Sequence, residues 1–121
     1  MKYPNKKAIG DFGENLAVNY LIKEGLRILI RNYRCPKGEI DIIASDKNFQ
    51  LVFVEVRTRT SSFRGKAEES VDYRKIARLK IIASYYLLEK SYADWPSLRF
   101  DVVAVNLEND VPELKWIKNI G

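Results

Sequence analysis

The stretch Gly38-Glu39-Ile40-Asp41-Ile42-Ile43-Ala44, followed by Leu51-Val52-Phe53-Val54-Glu55-Val56-Arg57, decides how the rest of the chain is arranged. Both segments are rich in β-branched and apolar residues, and Asp46-Lys47-Asn48-Phe49 between them has turn composition, so the pair reads as a β-hairpin. With Lys47-Asn48-Phe49 as the loop, Asp41 lies opposite Glu55 and Glu39 opposite Arg57; a shorter loop would shift the pairing by one residue.

Strand alternation puts Ile40, Ile42, Ala44, Val52, Val54 and Val56 on one face, which is wholly apolar. The other face carries Ile43, Leu51 and Phe53 near the turn, then Glu39, Asp41, Glu55 and Arg57 at the open end. Like charges placed opposite each other destabilise a sheet, so positive charge belongs between these carboxylates. It is supplied by the guanidinium of Arg57 or by a divalent cation, which takes carboxylate oxygens as ligands.

Upstream of the hairpin, Ile9, Phe12, Leu16, Ala17, Tyr20 and Leu21 recur at helical spacing between Ile9 and Glu24, and Gly25 supplies the stop. Glu14 falls at the border of that apolar stripe, on the side of Ala17 and Leu21, where it is either an exposed edge residue or a carboxylate aimed at the layer beneath. Leu26 to Tyr33 reads as a strand with Leu26, Ile28 and Ile30 on one side, and Asn32 to Lys37 as a basic turn containing Cys35-Pro36.

Downstream, Thr58 to Lys66 is a polar loop in which Arg59, Arg64 and Lys66 surround Phe63. That composition suits either plain solvation or contact with a polyphosphate strand. A second helix is expected from an N-cap at Ser70 to about Lys90. Ile76, Leu79, Ile82, Ala83, Tyr86 and Leu87 form its buried stripe, with Arg74, Lys75, Arg78 and Lys80 around the rest. Leu98 to Leu107 and Glu113 to Ile117 complete the chain as strands, the last at an edge. The order α-β-β-β-α-β-β, with a hairpin needing cover on both faces, predicts one helix per face. The result is a three-layer α/β/α sandwich with a mixed sheet, the second helix crossing from the third strand to a non-adjacent position.

At 121 residues the chain is a single domain by size, and 46% hydrophobic with 31% charged residues is globular composition. There is no histidine and one cysteine, Cys35. Cys/His zinc sites, intramolecular disulfides and histidine-dependent nucleophilic catalysis are therefore excluded, and any chemistry falls to carboxylates, Lys, Arg, Tyr or a hard metal held by oxygen. A net charge of +5 and a pI near 9.3 favour polyanionic partners. No apolar run approaches a membrane span and Met1-Lys2-Tyr3-Pro4-Asn5-Lys6-Lys7 leads into no apolar segment, so a cytoplasmic protein without membrane contact is expected.

Gly13-Glu14 on the first helix, Gly38-Glu39-Ile40-Asp41-Ile42-Ile43-Ala44, Val52-Phe53-Val54-Glu55-Val56-Arg57 and Arg99-Phe100-Asp101-Val102-Val103 together closely resemble the YraN family of small bacterial proteins. That family in turn looks like a branch of the PD-(D/E)XK nuclease superfamily, whose restriction-endonuclease-like core is αβββαβ and is related in pattern to Holliday-junction resolvases. The resemblance implies one nuclease-like domain over residues 1–121, here with an extra edge strand, and a Mg²⁺- or Mn²⁺-dependent phosphodiesterase site. Asp41 and Glu55 match its metal ligands, Glu14 the helix glutamate that some members add, and Arg57 stands where the pattern has lysine. Arginine stays protonated, so it can donate and stabilise charge but cannot take a proton from water. Lys37, Arg59, Arg64, Lys66, Arg74 and Lys75 are the expected nucleic-acid contacts, DNA ahead of RNA and branched DNA among the substrates, with a homodimer suited to a two-stranded one. The alternatives are a non-catalytic nucleic-acid-binding protein, in which Arg57 neutralises Glu39 and Glu55, and an interaction module using the sheet edge or Trp95 and Trp116.

Overall fold

A computed structural model of the chain describes residues 3–60 and 73–120. The elements run α1 (Lys6–Lys23), β1 (Arg27–Cys35), β2 (Gly38–Ser45), β3 (Leu51–Arg59), α2 (Tyr73–Glu89), β4 (Leu98–Asn106) and β5 (Glu113–Ile117). Helix α1 starts earlier than its apolar spacing indicates because Asn5 caps it, its side chain accepting from the backbone N–H of Ala8 at 2.9 Å. It ends as expected at Gly25, whose φ of +100° only glycine adopts readily. The expected cap at Ser70 and the segment carrying Phe63, Arg64 and Lys66 lie outside the described residues.

The sheet order is β1-β2-β3-β4-β5, with β3 and β4 parallel and the other neighbours antiparallel. The hairpin register is the expected one: Ile42 pairs with Val54, Ile43 with Phe53 and Ala44 with Val52. Phe49, at φ +62°, closes the loop, its N–H donating to the Asp46 carbonyl at 3.0 Å. Two expectations are corrected. Strand β4 lies directly beside β3, on the edge of β3 that β2 leaves open, since β2 is itself paired on both edges by β1 and β3. The turn before β2 is confined to Pro36-Lys37, since β1 runs on to Cys35 and pairs it with Gly38.

One helix covers each face of this mixed α/β sheet. Beneath α1, Ala17, Val18 and Leu21 pack on Ile42, Ala44, Val52, Val54, Val103 and Val105. Beneath α2, Leu79, Ile82, Ala83, Tyr86 and Leu87 pack on Tyr33, Ile40, Ile43, Leu51, Phe53 and Phe100. Each fully buried aliphatic or aromatic side chain contributes about 1.5–3 kcal/mol. Ile40 therefore sits on the opposite face from Ile42, and Ile28 on the opposite face from Ile30, where simple alternation would put each pair together. In β1 the register slips at Leu29. In β2 the break falls at Asp41.

Candidate active site

Asp41 occupies the place where regular pairing stops. The β2–β3 ladder has its last rung at Ile42 and Val54, and the Asn32/Asp41 rung is missing from the β1–β2 register between Arg31/Ile42 and Tyr33/Ile40. With its backbone unpaired there, Asp41 uses its side chain instead: Oδ2 accepts from the backbone N–H of Val56 at 2.7 Å. Burial pushes its carboxyl up from 3.8 to about 6. The Val56 hydrogen bond opposes this, while the charges of Glu55, Glu14 and Glu39 add to it. Among the described residues no cation is paired with Asp41, although each of those three neighbouring glutamates has one.

Glu55 is served from the α2 side. Lys75 Nζ lies 3.4 Å from Oε1 and Arg57 Nη2 3.3 Å from Oε2. Burial nonetheless pushes its carboxyl up, against the pull of Arg57 and Arg78. The Arg57 contact is an ion pair without hydrogen-bond alignment, so Glu55 Oε2 and Arg57 Nε are both buried and without a hydrogen-bond partner among the described residues. A buried acceptor and a buried donor left open side by side each cost about 1–3 kcal/mol. Native proteins leave few buried polar groups in that state, and each calls for an explanation.

Glu14 does point inward: it is only 9% exposed. Gly13 lets α1 approach the sheet closely, since a Cβ there would collide with the Thr58 side chain. Oε1 of Glu14 accepts from Arg31 Nε at 3.0 Å and from Asn32 Nδ2 at 3.1 Å. Glu14, Asp41, Glu39, Asn32, Val56 and Thr58 line one cleft of about 800 Å³, rimmed by Lys6, Lys7 and Arg34. Glu39 is bridged by Arg34 at 3.1 Å rather than by Arg57.

The expected residues thus divide. Asp41 and Glu14 share the α1-side cleft, whereas Glu55 and Arg57 meet Lys75 toward α2 and do not line that cleft. No group of three or more carboxylate or cysteine side chains among the described residues converges tightly enough to hold a metal ion by itself. Lys37 lies in the β1–β2 turn, Arg59 at the end of β3 opposite Asn106, and Arg74 on the exposed first turn of α2, none of them lining the cleft.

Sequence reasoning missed Lys6, Lys7, Arg31, Asn32 and Arg34. The signal for Asn32 was its poor strand propensity between Arg31 and Tyr33, which reads equally well as a turn. It also passed over Asp101, fully buried on β4. Asp101 receives Arg99 Nε and Nη2, Trp116 Nε1 at 2.8 Å and the backbone N–H of Asn119 at 2.9 Å. That carboxylate is saturated by donors and ties β5 and the chain end to the sheet.

A model of the uncharacterised protein family UPF0102 matches residues 13–105, a span that includes Glu14, the whole hairpin and β4. The chain belongs to this family. UPF0102 proteins of Desulfitobacterium hafniense (strain DSM 10664 / DCB-2) and Desulforamulus reducens are 45% and 48% identical to it. The first match covers 96% of this chain and 98% of the relative, the second 94% and 95%. The family resemblance carried by the hairpin is thereby borne out. Among solved structures, a repair endonuclease from Pyrococcus abyssi aligns with a TM-score of 0.48 at 21% identity, over 84% of this chain and 38% of that one. No helix among the described residues is long and apolar enough to cross a membrane.

Proposed function

We propose that this UPF0102 protein is a nuclease of the PD-(D/E)XK type that cleaves phosphodiester bonds with Mg²⁺ or Mn²⁺, acting on DNA ahead of RNA. Asp41 and Glu55 are the carboxylates that hold the ion, and Glu14 is the accessory acid. One observation carries the reading: among the described residues Glu55 Oε2 and Arg57 Nε are buried and have no hydrogen-bond partner, an acceptor suited to a cation beside a donor suited to a phosphate oxygen. Asp41 adds a carboxylate that no cation among the described residues pairs with. Two such groups fit Mg²⁺, which keeps several waters and asks a protein for only one or two carboxylates. When bound, the ion would serve as a Lewis acid toward the phosphodiester.

The chain's own residues do the rest. Arg57, charged at every working pH, donates to the phosphate and balances charge as it builds. Lys75, 3.4 Å from Glu55, adds a second cation beside that carboxylate. Lys6, Lys7 and Arg34 offer contacts to flanking phosphates along the cleft. Incubation with junction, flap, single-stranded and duplex DNA plus Mn²⁺ tests this. Cleavage should vanish in Asp41→Asn and in Glu55→Gln, and cleavage unchanged by Asp41→Asn would belong to a contaminant. The pairing of Glu55 with both Arg57 and Lys75 favours, as the second reading, a nucleic-acid-binding protein that does not cut. It would show salt-sensitive binding, no turnover and no heat of Mn²⁺ binding.

A further inference from the structure

Arg31 and Asn32 are consecutive residues of β1, yet both donate to the same oxygen of Glu14. In a regular strand their side chains would leave on opposite faces. They converge because Asn32 has φ +55°, a left-handed conformation that costs a non-glycine residue energy and that asparagine tolerates better than most. The same rung is the one at which β1–β2 pairing fails, with Asp41 on the other side of it. Asn32 also lines the cleft with Glu14 and Asp41. The irregularity in β1 and the one in β2 therefore face each other, and each turns a polar side chain toward α1.

We propose that Asn32 is a positioning residue: its left-handed backbone and its amide, together with Arg31, lock Glu14 in the cleft through Oε1 and leave Oε2 for the ion's shell or the substrate. No described residue donates to Oε2. Without the amide, Arg31 alone would hold Glu14, and Arg31 is itself shared with Asn15, whose Oδ1 takes its Nη2 at 2.7 Å. This inference rests on the nuclease reading for its consequence, though not for its geometry.

The informative variant is Asn32→Gly, which keeps the left-handed backbone at no steric cost while deleting the amide. It should melt like the parent protein. Its Glu14 side chain should leave the Arg31-bound position in a crystal structure of the metal-free variant. Mn²⁺ affinity by calorimetry and kcat on the cleaved DNA should each fall about ten-fold or more, with KM for DNA unchanged. In a Glu14→Gln background the same substitution should do nothing further, because the partner it orients is gone. Parent-like Mn²⁺ affinity and kcat in Asn32→Gly, or an equal loss in the Glu14→Gln background, would overturn the proposal. Should the parent protein neither bind Mn²⁺ nor cut, the nuclease reading fails by itself. The metal-free structures then decide the positioning role, and a Glu14 unmoved in Asn32→Gly overturns it.

Discussion

The carboxylate of Asp41 takes the place of a missing backbone rung: its Oδ2 accepts the Val56 N–H at 2.7 Å just beyond the last paired residues of β2 and β3. The bond satisfies an edge amide that would otherwise face a gap, and it holds the two strands together where they part. An asparagine could make it equally well through Oδ1. The charge is therefore surplus to the fold, and at neutral pH it is a cost, since burial disfavours the ionised form. Asp41→Asn should raise stability at pH 7.5 by about 1–2 kcal/mol while abolishing metal-dependent activity. Asp41→Ala, which also strands the Val56 amide, should gain less or lose. Urea denaturation of the three proteins checks the order.

The same residue sets a pH dependence. Its folded-state value, about 6, lies above the unfolded 3.8, so the folded protein binds more protons between those limits. The contribution is fully present below about pH 4 and is lost as pH rises through 6; Glu55, also raised, acts in the same direction. The stability advantage of Asp41→Asn should accordingly be large at pH 7.5 and close to nothing at pH 4. Paired denaturation curves across that range measure it, and a gap that widened toward acid would contradict the assignment.

A cation held by these carboxylates, as the nuclease reading proposes, would bind the folded chain and not the unfolded one. Mn²⁺ or Mg²⁺ should therefore raise the melting temperature, by an amount equivalent to about 2.7 kcal/mol once its concentration reaches a hundred times its dissociation constant. The shift should shrink below pH 6, where protons compete for Asp41. It should be absent in Asp41→Asn and in Glu55→Gln. Ca²⁺ and a monovalent salt at matched ionic strength separate site binding from general screening.

Helix α1 reaches the sheet only because Gly13 has no side chain, and Thr58 fills the space a Cβ would need. Gly13→Ala should destabilise by about 1–3 kcal/mol through overpacking and should lower activity further by lifting Glu14 away from the cleft. Thr58→Ala, made in the same chain, should recover part of both losses. The two substitutions would then be non-additive, as contacting residues usually are.

The legible part of this site was the part written in periodicity. Alternation between β2 and β3, with Lys47-Asn48-Phe49 as the loop, set the register that brings Ile42 opposite Val54, and the two apolar faces required two helices. What stayed hidden arose where periodicity breaks. Nothing local distinguishes a strand that stays regular through Asp41 from one that changes face there, because the break depends on losing hydrogen-bond partners on both edges at once. Asn32 was obscured for the related reason that a left-handed residue inside a strand has the composition of a turn. The ion partners Arg31, Arg34 and Lys75 are long side chains whose reach is settled by tertiary placement, so their pairing with Glu14, Glu39 and Glu55 could be read only from coordinates.

Arg57 is the departure that most affects chemistry, and its buried, unfilled Nε makes a definite claim about it. If the guanidinium is there for a phosphate oxygen, its removal should act mainly on the transition state. Arg57→Met should lower kcat by about a hundred-fold or more while weakening DNA binding only slightly. It also takes away the strongest charge that offsets the burial of Glu55, leaving Lys75 and Arg78 to hold that carboxyl down. Mn²⁺ binding in Arg57→Met should therefore need a higher pH than in the parent. Arg57→Lys restores a cation beside Glu55 and should bring the pH requirement back, but it cannot supply a planar, two-pronged donor, so kcat should recover only in part. Calorimetric titration with Mn²⁺ at several pH values, set beside single-turnover cleavage rates, separates the two roles. A normal pH requirement and a normal rate in Arg57→Met would make Arg57 a bystander at this site.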